Sequence, residues 1–206
     1  MVNINSFLFI LFALIAIIIA TTVHEFTRAL TSTILGDTLP KQKGRLTLNP
    51  IKHFEPIGFI LMLATGGFGW GKPVDTTSLY YKNRKRDTLL TAIMPDIANI
   101  IVAYISLILA NLFIKTGNVV VFSLFSRIAV YNISLAVYNI VPVSPMDGLK
   151  VLAHIIPSNK YFQYIQYEKV IQAVFLLFLF IGTTDFIFTP VINGLMSILS
   201  LLAGLW

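Results

Sequence analysis

The sequence predicts an all-α polytopic membrane protein with about five transmembrane segments, and three observations predict it. Hydrophobic residues make up 56% of the chain and charged residues 12%, about half the ~25% charge of a soluble domain. Apolar runs begin near Ile4, Thr88, Val119, Val170 and Phe186; most are long enough for a hydrocarbon core of about 30 Å. Twelve of the fifteen Lys and Arg fall in the polar stretches 36–56, 72–88 and 150–169, the positive-inside bias of a multi-pass protein. The net charge of +6 therefore suits an anionic lipid surface, and no nucleic-acid partner is expected. A length of 206 residues points to one membrane-embedded domain, 1–206. There is no cysteine, which removes disulfides, thiolate ligands and cysteine nucleophiles. A metal would rest on the three His, the nine acidic residues, amides or water.

The first helix is predicted from about Ile4 to Leu35, stopped by Gly36-Asp37. It would be roughly 48 Å long, so its last turns emerge from the hydrocarbon. No Lys or Arg precedes Arg28, so the run reads as a span with its N-terminus outside rather than a cleavable signal. Residues 37–56 read as a polar loop with a short strand at Arg45-Leu46-Thr47-Leu48. The apolar run from Ile57 to Thr65 is too short to span and runs into Gly66-Gly67-Phe68-Gly69-Trp70-Gly71. It is predicted to be a re-entrant or hairpin segment around 57–71, beside the polar part of the first helix. Its glycines suit close packing, since the run lacks the strand–loop–helix setting of a phosphate loop. After a basic loop, 74–87, helices are predicted over about Thr88 to Ile114 and Val119 to Ile140. The runs Val170–Gly182 and Phe186–Leu205, broken at Thr183-Thr184-Asp185, read as a C-terminal helical hairpin over 170–206.

Polar residues stand out against this apolar background. His24 and Glu25 lie side by side at the inner end of the first span, with Arg28 one turn on. Ionisable groups at such depth mark functional sites by default. Asp96 and Asn99 interrupt the second span, and Asn139 through Asp147 close the third. Each has a plainer reading. Asp147 could be an N-cap, Asp96 could cap a half-helix after Pro95, and Asn99 and Asn139 could join helices by hydrogen bonds. His53 and His154 sit in polar loops and are expected to be solvated.

Taken together, His24-Glu25-Phe26, Gly44-Arg45-Leu46-Thr47-Leu48-Asn49-Pro50, Gly67-Phe68-Gly69-Trp70-Gly71-Lys72-Pro73 and Asn139-Ile140-Val141-Pro142-Val143-Ser144-Pro145-Met146-Asp147-Gly148 resemble the site-2 protease family of intramembrane zinc metalloproteases. They occur in that family's order, over about residues 1–150. The resemblance implies that His24 and Asp147 match zinc ligands, that Glu25 matches the general base, and that Asn139 matches an amide near the substrate. Asn99 matches part of a further motif, whose first position is here Met94. The expected function is cleavage of substrate transmembrane helices near the cytoplasmic face of a bacterial plasma membrane.

One residue departs from the pattern. The zinc signature His-Glu-x-x-His places two ligands at i and i+4 on one helical face, and here Arg28 holds the second place. Arg offers no lone pair to a metal. Three possibilities follow. Asp96, or less readily His53, supplies the missing ligand. Alternatively, Arg28 replaces the metal by pairing with Glu25 and Asp147, giving a non-catalytic binder of membrane helices. Or the cluster serves proton or ion movement.

Overall fold

The computed structural model describes the chain from Ile4 to Leu205. Among the described residues the secondary structure is entirely helical. Four helices are long and apolar enough to cross a membrane: α1 (Ile4–Ile34), α4 (Arg84–Lys115), α5 (Val119–Asn139) and α9 (Asp185–Leu202). A fifth span arises if α7 (Ser158–Gln166) and α8 (Glu168–Ile181), bent by 65° at their junction, are taken together. The remaining helices are short: α2 (Leu39–Gln42), α3 (Pro56–Thr65) and α6 (Gly148–Ile155).

Helix α5 is the axis of the bundle. Its second half is buried almost without interruption from Ile128 to Asn139, the pattern of a helix enclosed on all sides. Small residues let α1 approach it: Ala13, Ala16 and Ala20 are fully buried with Ile17 against Ile128, Tyr131 and Leu135. Close approach through alanines substitutes for the hydrophobic drive that lipid does not provide. On its other side, Ala129, Ile133 and Val137 meet Ala103 and Leu107 of α4 and Ala203 beyond α9.

The segment after α3 folds back along it. A Cβ on Gly58 would lie 2.1 Å from the Trp70 carbonyl oxygen, and one on Gly69 would lie 2.1 Å from the Gly58 carbonyl oxygen. Backbone therefore packs directly on backbone. Phe68 of this strap is buried against Tyr138 of α5, with ring centres 5.3 Å apart. Further on, the Lys72 N–H donates to the His53 carbonyl at 2.8 Å. The Arg45 guanidinium donates to the Lys72 carbonyl at 2.6 Å and the Pro73 carbonyl at 3.2 Å. Residues 66–74 are thus held across α1 near Thr21 and Glu25.

Two sequence expectations need correction here. Residues 45–48 form no strand, with bends at Leu46 and Thr47, because the Arg45 side chain is committed to the strap and, among the described residues, no strand is there to pair with them. His53 is fully buried rather than solvated. Its Nε2 donates to the Thr47 carbonyl at 2.7 Å, and burial lowers the pKa of the ring below its ordinary value. In addition, α4 begins at Arg84, earlier than its apolar run, with Asn83 capping the Arg86 N–H.

Candidate functional site

The C-terminal half of α1 carries three ionisable residues on adjoining faces. His24 and Arg28 are one turn apart, and Glu25 and Arg28 stand at i and i+3. His24, Glu25 and Arg28 are 2%, 3% and 4% exposed. Burial of charge at this level requires partners, and each is supplied by a distant part of the chain.

Asp147 arrives from the loop between α5 and α6. Gly148 lets that loop close, since a Cβ there would sit 2.1 Å from the Ile140 carbonyl oxygen. The loop is also tied to the C-terminal helices: Tyr164 donates to the Pro142 carbonyl, and Gln172 to the Ser144 carbonyl at 2.9 Å. Asp147 occupies the N-cap position of α6, yet its side chain makes no capping bond. Its carboxylate faces α1 instead. Arg28 grips it with both terminal nitrogens: Nη1 donates to Oδ1 at 2.6 Å, and Nη2 donates to Oδ2. This fork-on-carboxylate arrangement is the strongest ion pair that arginine makes. Lys150 adds a contact to Oδ1 at 3.1 Å. Burial raises the Asp147 pKa, but Arg28, the His24 contact and Lys150 outweigh it and hold the carboxyl below the usual carboxylate range.

The remaining groups close around this pair. Arg28 Nη2 lies 2.9 Å from His24 Nε2, and Arg28 Nε lies 3.2 Å from Glu25 Oε2. Glu25 Oε2 also accepts the Val74 N–H from the strap, at 2.8 Å. His24 Nδ1 faces Asn99 Oδ1 at 3.2 Å and Asp96 Oδ1 at 3.6 Å. Both Asn99 N–H groups are engaged elsewhere, so Nδ1 carries a proton and donates it to Asn99 Oδ1, while Nε2 lies within reach of both Arg28 Nη2 and Asp147 Oδ2, the latter at 3.2 Å. The Asn99 amide donates onward to the Ala20 carbonyl at 3.0 Å and to Asn132 Oδ1 at 2.8 Å. All three of its directions are therefore used. Asn132 was not among the sequence candidates, although an amide inside an apolar span was a usable signal. Lys150 was also missed; Asp147-x-x-Lys150 on a helix start was its signal.

Asp96 and Asn139 stand differently. Asp96 sits within an unbroken α4, on the Nδ1 side of the imidazole, whereas Asp147 lies on the Nε2 side at 3.2 Å. Asp96 Oδ1 is buried without a hydrogen bond among the described residues. Asn139 is 4% exposed at the last turn of α5, and among the described residues its Nδ2 has no hydrogen-bond partner.

A zinc ion can be tested against these groups. A catalytic zinc takes three protein ligands and an open position. His24 Nε2 and Asp147 are placed together, but the space between them is taken by the Arg28 guanidinium, a donor of protons with no electron pair to give. Among the described residues, no group of three His, Cys, Asp or Glu side chains is placed to hold a metal ion. These residues do not fit a zinc site of the usual kind.

Comparison with known proteins adds a further finding. The chain is 30% identical over 206 residues to "Putative zinc metalloprotease YwhC" of Bacillus subtilis (strain 168), covering 95% of this chain and 92% of that protein. It is 27% identical over 142 residues to "Putative zinc metalloprotease Rip2" of Mycolicibacterium smegmatis, covering 66% of this chain and 54% of that protein. It is 26% identical over 172 residues to the Mycobacterium tuberculosis (strain H37Rv) protein of the same name, covering 81% and 65% respectively. The chain thus spans nearly all of YwhC but less than two thirds of either Rip2 protein. No protein-family profile matches the chain, and no solved structure matches it.

Proposed function

The chain belongs to the zinc metalloprotease family of YwhC, and from that premise we propose that it keeps the helix-binding frame of a site-2-type intramembrane protease while Arg28 stands in the metal's place. On this reading it binds transmembrane helices without cutting them. The observation that carries the reading is the Arg28 fork on Asp147, with Nη2 also on His24 Nε2. A zinc ion between His24 and Asp147 would lie within ~4–5 Å of the guanidinium. At an effective dielectric of about 20, a dication and a unit charge repel there by about 7 kcal/mol. The guanidinium already pairs with both Asp147 and Glu25, and Lys150 adds a second cation at Asp147.

The other groups support the same reading. Glu25, the residue that would act as base, is engaged by the Val74 N–H and the guanidinium. A groove of about 180 Å³ lined by Ile18, Thr21, Pro50, Ile51, Phe54 and Phe59 opens beside the strap. Thr21 and Glu25 both border Gly71 of that strap, so a side chain of an apolar helix lodged in the groove would lie next to the charged cluster. The bilayer is the natural setting, with the N-terminus outside, the cluster towards the cytoplasm, and a bacterial plasma membrane as host.

A second reading is favoured by the names of the relatives and by the assembly of His24, Glu25 and Asp147 at one place. On that reading the protein is an intramembrane metallo-endopeptidase, cutting client helices near the cytoplasmic face once another donor displaces Arg28. Co-expression with a designed single-span helix separates the two. The binding reading expects the helix to co-purify uncut, in equal amount with wild type and Glu25→Gln. Two fragments formed by wild type and absent with Glu25→Gln would establish the peptidase.

A further inference from the structure

Outside the buried cluster, Lys150 has two surroundings at once. Its Nζ is 3.1 Å from Asp147 Oδ1, yet its side chain is 36% exposed. The exposed part borders a cavity of about 290 Å³ walled by Arg84, Lys85, Lys150, His154, Ser78 and Thr88. Two lysines, an arginine and an imidazole therefore border one open depression together with two hydroxyl-bearing residues, much of its wall being their hydrocarbon stems. Among the described residues, no carboxylate lines it. The nearby Asp87 is turned away to Arg86 and to the Asn83 N–H, at 2.8 and 3.0 Å, and Asp147 lies behind Lys150 against Arg28. A second cavity is bordered by Thr76, Ser78, Tyr81, Thr88, Thr91 and Lys150.

Like charges gathered around a space repel unless an anion fills it. The chemistry of this lining, lysine and arginine with hydroxyl donors, is that of a phosphate receptor. Two of the polar stretches that carry most of the cations supply its walls, which sets it at the depth of phospholipid headgroups. Lys150 is also a dispensable partner for Asp147, because Arg28 already donates to both carboxylate oxygens.

We propose that Arg84, Lys85, Lys150 and His154 form a binding site for a phosphate group, and that a phosphate bound there draws Lys150 away from Asp147. The site goes beyond the helix-binding reading and does not rest on it, since Lys150 borders the buried cluster whatever fills its centre. A phosphate in the cavity thus changes the charge against Asp147 from outside the membrane core.

The test uses the full chain in nanodiscs of phosphatidylcholine, followed by its thermal unfolding midpoint. Phosphatidylglycerol is added to the discs in one arm, and inorganic phosphate to the solution in the other. A saturable rise with phosphatidylglycerol alone assigns the phosphate to a lipid headgroup; a rise with inorganic phosphate assigns it to a soluble source. In either arm Lys85→Gln and Lys150→Gln are each expected to raise the half-saturating concentration about fivefold, equivalent to about 1 kcal/mol per cation. Asp147→Asn frees Lys150 and is expected to lower it by a similar factor. No saturable rise in either arm, or the same rise in the Arg84→Gln/Lys85→Gln/Lys150→Gln variant, overturns the site. A half-saturation unmoved by Asp147→Asn overturns the link to the cluster.

Discussion

Removing Arg28 leaves two buried carboxylates without their common cation. In Arg28→Ala, Asp147 loses the Nη1 bond at 2.6 Å and the Nη2 bond, Glu25 loses its ion pair at 3.2 Å, and His24 loses the contact at 2.9 Å. What remains is Lys150 at 3.1 Å for Asp147 and the Val74 N–H at 2.8 Å for Glu25. Removing one partner of a buried pair costs about 3–5 kcal/mol, and the surviving contacts place this case near the lower end, about 3 kcal/mol. For a chain of this size each kcal/mol moves the unfolding midpoint by about 2–4 °C, so a fall of about 6–12 °C is expected. The assay is thermal unfolding in mild detergent, with Asp147→Ala and the double variant completing a mutant cycle. The coupling should be about 2 kcal/mol, with the double variant losing far less than the sum of the two single losses. A midpoint for Arg28→Ala within about 1 °C of wild type, or additive losses in the cycle, would refute the ion-pair account of the centre.

Three further outcomes follow from the same geometry. Arg28→His replaces the blocking cation with a ligand one turn from His24, so zinc should bind at about one per chain by elemental analysis; a folded variant that stays metal-free would show that the site geometry is wrong. Asn99→Ala removes bonds to His24, the Ala20 carbonyl and Asn132 and should cost about 1–3 kcal/mol, read as a lower unfolding midpoint; no change would mean that the amide is not part of the network. Gly58→Ala would place a Cβ 2.1 Å from the Trp70 carbonyl oxygen, displacing the strap, so protease nicking within residues 66–74 should rise, and unchanged nicking would argue against the backbone-on-backbone packing.

Much of the architecture was legible because single spans carry their own signal. The long apolar runs of α1, α4 and α5 need no knowledge of neighbours. The short segment after Pro56 was also readable, since too few apolar residues and a glycine run leave little choice but to fold back. Residues 37–56 were not legible. His53 is buried because its ring and carbonyl answer Thr47 and Lys72, long-range contacts that polar composition conceals. The site divides in the same way. His24, Glu25, Arg28 and Asp147 announced themselves as charges beside apolar runs, although Asp147 lies 119 positions from its partner. Which side of the imidazole each acid would take, and the presence of Lys150 and Asn132, depended on helix rotation. Sequence periodicity in uniformly apolar spans does not specify that rotation.

The most direct test of the central claim is the metal content of the wild-type protein, purified in detergent without chelator and then incubated with zinc and washed. An arginine in the metal's place predicts a small fraction of one zinc per chain, unchanged in His24→Ala. About one zinc per chain, lost in His24→Ala and in Asp147→Ala, would contradict it.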